Sequence, residues 1–309
     1  MITVAGLTPS LDLTYVVDNF RLGRIHRPRE LVSCAGGKSL NMARVASRLG
    51  GDVRVIAVLG GPTGHQVGER LAADGVAFDV VESPTETRTC VSIASGSSDE
   101  LTEVYQYAPA MPPEVWARVL AAVDADLTRR PGWLSISGAP PAELPDHAVA
   151  DLVRLGHARG VRVALDTHGA ALAAALGVAP DLVKVNRVEA AELLGVDPSG
   201  ANPVGLADQI RGLTRRVVVI TDGRAGSVAV DGAETHRVPA AVRSGRFPVG
   251  SGDSFMGGLV VDLDRGGSLP DALRTAAAAG AANALVPGPG VLDPVELAAI
   301  REEIVVERT

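Results

Sequence analysis

Apolar runs of strand length recur along the chain, separated by longer stretches whose apolar positions repeat every three to four residues. Residues 2–7, 53–59, 133–137, 161–166, 182–185 and 217–221 are such runs, the pattern of strands buried on both faces. Leu40, Ala43, Val45, Ala46 and Leu49 mark an amphipathic helix closed by Gly50-Gly51. Further helices are predicted over 63–74, 145–159, 169–176, 270–285 and 294–305. Strands alternating with helices predict a parallel sheet with right-handed crossovers and helices on both faces, with ligands beyond the carboxyl ends of the strands. Three stretches depart from this alternation. Residues 8–12 read as a turn out of the first strand, followed by a short strand at 13–17. Residues 87–93 and 102–107 alternate in polarity around a polar turn at 95–100, which predicts a hairpin. Residues 217–221 and 227–230 predict strand, tight turn and strand.

Composition narrows the class. With 46% hydrophobic but only 3% aromatic residues in a chain of 309, the core is built from Ala, Val and Leu. A formal net charge of -7 argues against nucleic acid or an anionic membrane as a partner, so any phosphate must be held by a local site. Cys34 and Cys90 have neither the spacing nor the number for a disulfide framework or zinc site and read as thiols in a reducing compartment. The start lacks a basic segment and a long apolar core, and the Ala-rich run 272–286 contains Arg274. A soluble cytoplasmic protein is expected.

Two glycine-rich junctions carry the chemistry. In Gly250-Ser251-Gly252-Asp253, small residues precede a carboxylate and an apolar run. If Asp253 opens a helix, the amides before it form an anion nest at the positive helix end. A carboxylate beside such a nest repels phosphate but can take a proton from a hydroxyl attacking it. Alternatively, Asp253 is a helix cap in a glycine-rich turn. The second junction is Ala35-Gly36-Gly37-Lys38-Ser39-Leu40-Asn41. Gly37-Lys38-Ser39 imitates the end of a P-loop, but Val32 stands where that motif needs a small residue. Gly36 and Gly37 instead bring backbone amides close to a ligand, with Lys38 and Asn41 at the helix start. Asn186 and Glu189, spaced i to i+3, read as a capping pair. The run Arg21, Arg24, His26, Arg27, Arg29 is either solvated surface or a basic rim over an anionic substrate.

AGGKSLNMARV and PVGSGDSFMGG, in this order, resemble the two signatures of the PfkB (ribokinase-like) carbohydrate kinases, and the likeness runs from Ile2 to about Ile304. TPSLD and AGGKSLN are most similar to the hexose-phosphate branch, which includes 1-phosphofructokinase and tagatose-6-phosphate kinase. The resemblance implies one three-layer α/β kinase domain over 1–309 with a mostly parallel sheet. Strands inserted at about 12–34 and 87–108 would form a small β lid that closes the sugar site and pairs two subunits as a homodimer.

The same resemblance assigns roles. Asp253 is the general base, with the amides of Gly250, Ser251 and Gly252 as the anion hole. Asp12, Gly36, Gly37, Asn41 and Ser137 face the sugar; Lys38 and Arg88 hold the sugar's own phosphate. Lys184, Asn186, Thr221, Gly223 and Gly226 attend the ATP phosphates, and Gly280 and Asn283 lie beside the adenine. Asn186 and Glu189 orient Mg2+ through its waters. A monovalent cation such as K+ behind the nest is left open. The chain departs from the family pattern at Val185, Asp222, Ser39 and Ser251. The expected reaction is phosphorylation of a ketohexose phosphate such as fructose 1-phosphate, fructose 6-phosphate or tagatose 6-phosphate. A kinase of unphosphorylated sugars or nucleosides shares the catalytic half, and a non-catalytic sugar-binding regulator would need that half to be broken.

Overall fold

A computed structural model describes residues 1–96, 101–141, 143–232, 234–239, 243 and 245–308; part of the polar turn at 95–100 therefore lies outside the described residues. The strands are β1 (Ile2–Gly6), β2 (Ser10–Val17), β3 (Glu30–Gly36), β4 (Val53–Leu59), β5 (Ala77–Glu82), β6 (Arg88–Ser95), β7 (Leu101–Tyr105), β8 (Trp133–Ser137), β9 (Arg162–Asp166), β10 (Leu182–Asn186), β11 (Val217–Thr221), β12 (Ser227–Asp231), β13 (Glu234–Val238) and β14 (Glu307–Arg308). The helices are α1 (Lys38–Arg48), α2 (Gly61–Ala73), α3 (Pro113–Arg129), α4 (Ala148–Ala158), α5 (Gly169–Leu176), α6 (Arg187–Leu194), α7 (Pro203–Arg211), α8 (Ser251–Asp264), α9 (Leu269–Ala284) and α10 (Pro294–Glu303).

The large sheet runs β14-β13-β12-β11-β10-β9-β8-β1-β4-β5, and every pair from β11 to β5 is parallel. Alternate strand residues feed two cores. Val217 and Val219 join helices α1, α2, α8, α9 and α10 on one face, while Val218 and Ile220 join α3 to α7 on the other. The carboxyl ends of β8, β9, β10 and β11 therefore fall on one edge, in register as Ser137 with Asp166 and Asn186 with Thr221.

Strands β3-β2-β6-β7 form a separate four-stranded sheet. Here the turn expected at 8–12 is corrected: β2 begins at Ser10, so Asp12 lies within a strand, between Cys34 of β3 and Cys90 of β6. The alternation reading also omitted β5, β13 and β14 at the rims, where β12, β13 and β14 pair antiparallel. Edge strands bury few residues (only Val81 of β5), so the apolar signal is weak there. Among the described residues no helix is long and apolar enough to cross a membrane.

Helix α8 is wedged between α1 and α9 by two adjacent glycines. A Cβ at Gly257 would stand 2.8 Å from the Met42 carbonyl, and one at Gly258 would stand 2.9 Å from the Thr275 carbonyl. Such contacts explain a core with few aromatics, because Gly and Ala faces let helices approach. They also set the distance between the two glycine-rich junctions. Gly257→Ala gains about 1 kcal/mol in helix propensity, but its methyl meets a backbone carbonyl that cannot turn aside, an overpacking cost of about 1–3 kcal/mol. The clash should win, and urea unfolding should show a net loss of stability; a stabilised variant would refute the close approach.

Candidate active site

Asp253 sits in the first turn of α8, behind Gly250, which adopts a left-handed conformation (φ 82°). A Cβ at Gly250 would lie 2.7 Å from Pro289, so glycine is required on both counts. Among the described residues the amides of Gly250 and Gly252 have no partner in the protein, as expected of an anion nest. The Ser251 amide differs: it donates to the Pro248 carbonyl (3.1 Å), so the nest has one open amide fewer than expected there.

The Asp253 carboxylate is buried and accepts a hydrogen bond from Asn41 Nδ2 (2.9 Å). Two sequence signals 212 residues apart thus form one contact. Burial pushes the Asp253 carboxyl up to about 6, with Asp166 adding to the rise; Lys38, the Asn41 bond and Lys184 oppose it.

Lys38 does not stand free as a ligand for a substrate phosphate, which corrects its expected environment. Its Nζ lies 3.3 Å from Asp166 Oδ1 and 3.6 Å from Glu189 Oε1. Lys184 Nζ, expected beside ATP phosphates, binds the other Asp166 oxygen at 2.7 Å. Burial alone would raise the Asp166 carboxyl, but Lys184 and Lys38 more than offset it and hold it below its usual range. In return Asp166, helped by Glu189 and Asp253, pushes the Lys38 ammonium up against burial and keeps it charged. Lys184 reaches from below towards the nest: a Cβ at Gly252 would meet its Nζ at 3.0 Å. Sequence reading placed Asp166 at a strand end without assigning it this role. No periodicity or spacing signals a single buried carboxylate between two lysines.

Asn186 and Glu189 form a complete capping box. Asn186 Oδ1 accepts from the Glu189 amide and Glu189 Oε2 accepts from the Asn186 amide, each at 2.9 Å. Glu189 keeps Oε1 for Lys38 or for a hydrated cation. Among the described residues no cluster of three or more His, Cys, Asp or Glu could hold a metal ion. Asp222, one of the departures from the family pattern, is paired with Arg187 (2.7 Å), which offsets its charge.

Thr221, Gly223, Gly226, Ser251, Gly252 and Gly280 line one cavity of about 500 Å³. Asn283, expected beside an adenine, lies fully buried instead. Its Oδ1 accepts from Ser254 Oγ (3.1 Å) and the Gly290 amide (2.7 Å), and its Nδ2 donates to the Val249 carbonyl (2.8 Å). It therefore braces the glycine-rich loop from within. Arg224 and Arg246 also line the cavity and were missed, since exposed arginines carry no pattern.

On the lid side, Asp12 is held by Ser10 Oγ (2.6 Å) and lies 3.4 Å from the Gly37 amide. Burial raises its carboxyl despite both bonds. A Cβ at Gly36 would fall 2.0 Å from the Asp12 carboxyl carbon, so only glycine fits beside it. Arg88 is aligned with Ser10, on the Asp12 face of the lid. Its Nη1 and Nη2 donate to the carbonyls of Gln106 (3.1 Å) and Thr8 (3.4 Å), and its buried Nε has no partner. Among the described residues Arg88 has no carboxylate within ion-pair distance. Ser137 contributes its carbonyl to Ser39 Oγ (2.7 Å), while its own buried hydroxyl is unpartnered.

Comparison with known proteins places the chain in a family. A family model described as pfkB family carbohydrate kinase matches residues 1–295. A 1-phosphofructokinase of Rhodobacter capsulatus is 30% identical over 309 residues, covering 99% of this chain and 97% of the relative. The crystal structure of phosphofructokinase-2 from Escherichia coli in complex with potassium superimposes with a TM-score of 0.88, at 27% identity and 98% coverage of both chains. A possible 1-phosphofructokinase from Thermotoga maritima gives a TM-score of 0.90 over 100% of this chain and 99% of its own, and at 21% identity it speaks for the fold alone.

The electrostatics of Asp253 are measurable without turnover. Carbon-13 NMR of Asp-labelled protein should show one carboxyl titrating at about pH 6, absent in Asp253→Asn, while Asp166 stays ionised well below that. Titration of Asp253 at the ordinary carboxylate value would show that its surroundings are wetter than described.

Proposed function

Since the chain belongs to the pfkB family of carbohydrate kinases, we propose that it transfers the γ-phosphoryl group of ATP to a hydroxyl of a ketohexose phosphate, as a 1-phosphofructokinase does. The observation that carries the substrate class is Arg88. A cation on the Asp12 face, held among the described residues by backbone carbonyls and with a buried Nε that finds no partner among them, suits an anionic ligand. Asp12 beside it suits sugar hydroxyls.

In this reading the acceptor hydroxyl lies between Asp12 and Asp253. Near neutral pH, above its shifted value, Asp253 is mostly ionised and takes the hydroxyl proton as the oxygen bonds to the γ-phosphorus and ADP leaves. The amides of Gly250 and Gly252 hold charge on the transferred group, with the Lys184 ammonium behind them. Lys38, pinned between Asp166 and Glu189, faces the same space. Mg2+ would supply charge neutralisation on the nucleotide phosphates, held through water by Glu189 and Asn186. The cavity from Thr221 to Gly280 accommodates the rest of the nucleotide.

A second reading, a kinase of the unphosphorylated sugar, draws on Lys38. Its two carboxylate partners already satisfy it, so a neutral sugar would leave only Arg88 uncompensated. Comparing fructose with its 1- and 6-phosphates decides between them. The sugar phosphate should be strongly preferred in kcat/KM. Arg88→Ala should raise KM for the phosphate by about 10- to 100-fold, the loss of a charge-assisted pair, and leave the free sugar nearly unchanged. Equal kcat/KM for sugar and sugar phosphate would favour the second reading.

The lid supports a homodimer. One row across β2, β6 and β7, Leu13, Val91 and Val104, is apolar, with Ser33 of β3 at its end, and Val104 (63%) and nearby Leu31 (51%) are exposed. A second copy of this chain would cover that face. Sedimentation should show a dimer that Val104→Glu dissociates; a wild-type monomer would remove the interface.

A further inference from the structure

Arg44 has no part in the readings above. It lies on α1, one turn after Asn41, and is 2% exposed. Its Nε donates to Asp74 Oδ2 (2.7 Å), its Nη1 to the Pro289 carbonyl (2.8 Å) and to Asn41 Oδ1 (3.4 Å), and its Nη2 to the Ala35 carbonyl. The two carbonyls directly precede Gly290 and Gly36. Both glycines are sterically required: a Cβ at Gly290 would stand 2.8 Å from Arg44 Nη1, and one at Gly36 would strike Asp12.

The contact with Asn41 matters most. A primary amide has a donor end and an acceptor end, and either could face Asp253. A guanidinium has donors only, so it can receive only the oxygen end. With Oδ1 turned to Arg44, Nδ2 is turned to Asp253 Oδ2, the 2.9 Å bond already described. The reversed amide would set its oxygen against a buried carboxylate.

We propose that Arg44 is a positioning residue for phosphoryl transfer: it locks the Asn41 amide with its N–H group on Asp253, and so keeps the base ionised and aimed. This rests on Asp253 being the base. The charged groups facing Asp253 are Lys38 of α1, Asp166 at the end of β9 and Lys184 of β10. Those facing Arg44 are Asp74 and Asp12. Because Asn41 donates to the carboxylate, it favours the ionised form, and its reversal would disfavour it.

The test compares Arg44→Gln, which offers an acceptor and permits the reversed amide, with Arg44→Lys, which offers donors only. Arg44→Gln should move the acid limb of the kcat/KM–pH profile up by about one pH unit, the size of one lost hydrogen bond to a charged group. It should lower kcat about twofold at pH 7, the loss of ionised base from that shift, with ATP KM little changed. Arg44→Lys should keep the limb in place even where both variants lose thermal stability. In an Asn41→Ala background, where the limb has already moved, Arg44→Gln should move it no further. Equal limbs for Lys and Gln, or a shift that persists without Asn41, overturns the proposal and leaves Arg44 a structural cation. If Arg44→Gln does not fold, the Lys variant and Asn41→Ala decide alone: a limb shifted by Lys, or unshifted by Asn41→Ala, has the same force. Failure of the underlying reading is separately visible, because Asp253→Asn would then retain turnover instead of losing about two to four orders of magnitude.

Discussion

Asp166 has no solvent exposure, yet it carries a charge, and the site is built around that fact. A buried carboxylate stays ionised only with close cations, and breaking such a pair typically costs about 3–5 kcal/mol. Lys38 from the start of α1 and Lys184 from within β10 each take one of its oxygens. The triad therefore ties a helix start to the end of β9 and the middle of β10 with little freedom. It also sets the field at Asp253, since both lysines oppose the rise that burial and Asp166 impose. The carboxyl is left at about 6, high enough to be basic and low enough to be ionised at neutral pH.

The second constraint is steric. Gly257 and Gly258 let α8 lie against α1 and α9 at distances no side chain permits, and this proximity brings Asn41 to Asp253. Asn283, wholly buried, then holds the chain on either side: it binds Val249 before the nest, Ser254 after it and Gly290 across from it. The nest is thus held by buried hydrogen bonds as well as by its own turn from Ser251 to Pro248. Such rigidity suits a site whose rate depends on dipoles already oriented before the charge develops.

The lid obeys a different logic. Its sheet is separate from the large one, it carries Asp12 and Arg88 on one face, and Arg246, which lines the large cavity, donates to its Ser95 carbonyl (2.8 Å). Gly36 and Gly37 join it to α1, with Gly37 left-handed (φ 88°). Asp12 and Arg88 therefore sit on one sheet and Asp166 and Thr221 at strand ends of the other, and the Gly36-Gly37 junction connects the lid to α1.

Much of this was legible in the sequence. Buried parallel strands write themselves as apolar runs, so β4, β8 and β11 were found to the residue; α1, α2, α4, α5, α9 and α10 were found within a few residues, while α3 and α7 were not predicted. Glycine-rich junctions followed by helices marked both halves of the site because the backbone conformation they need is nearly exclusive to glycine. The capping box of Asn186 and Glu189 was readable from spacing alone, being a contact between neighbours in the chain. What the sequence could not supply were contacts between distant residues. Lys38 looked like a free ligand until Asp166 and Glu189 stood beside it, and Asn283 looked like a pocket residue until its amide was found facing inwards. Arg44 carried no signal, since one arginine on an amphipathic helix is ordinary until the fold buries it. Local patterns determine which segments become strands, helices and tight turns. Only the tertiary structure decides which charges are buried together, because burial and charge pairing arise from packing between elements.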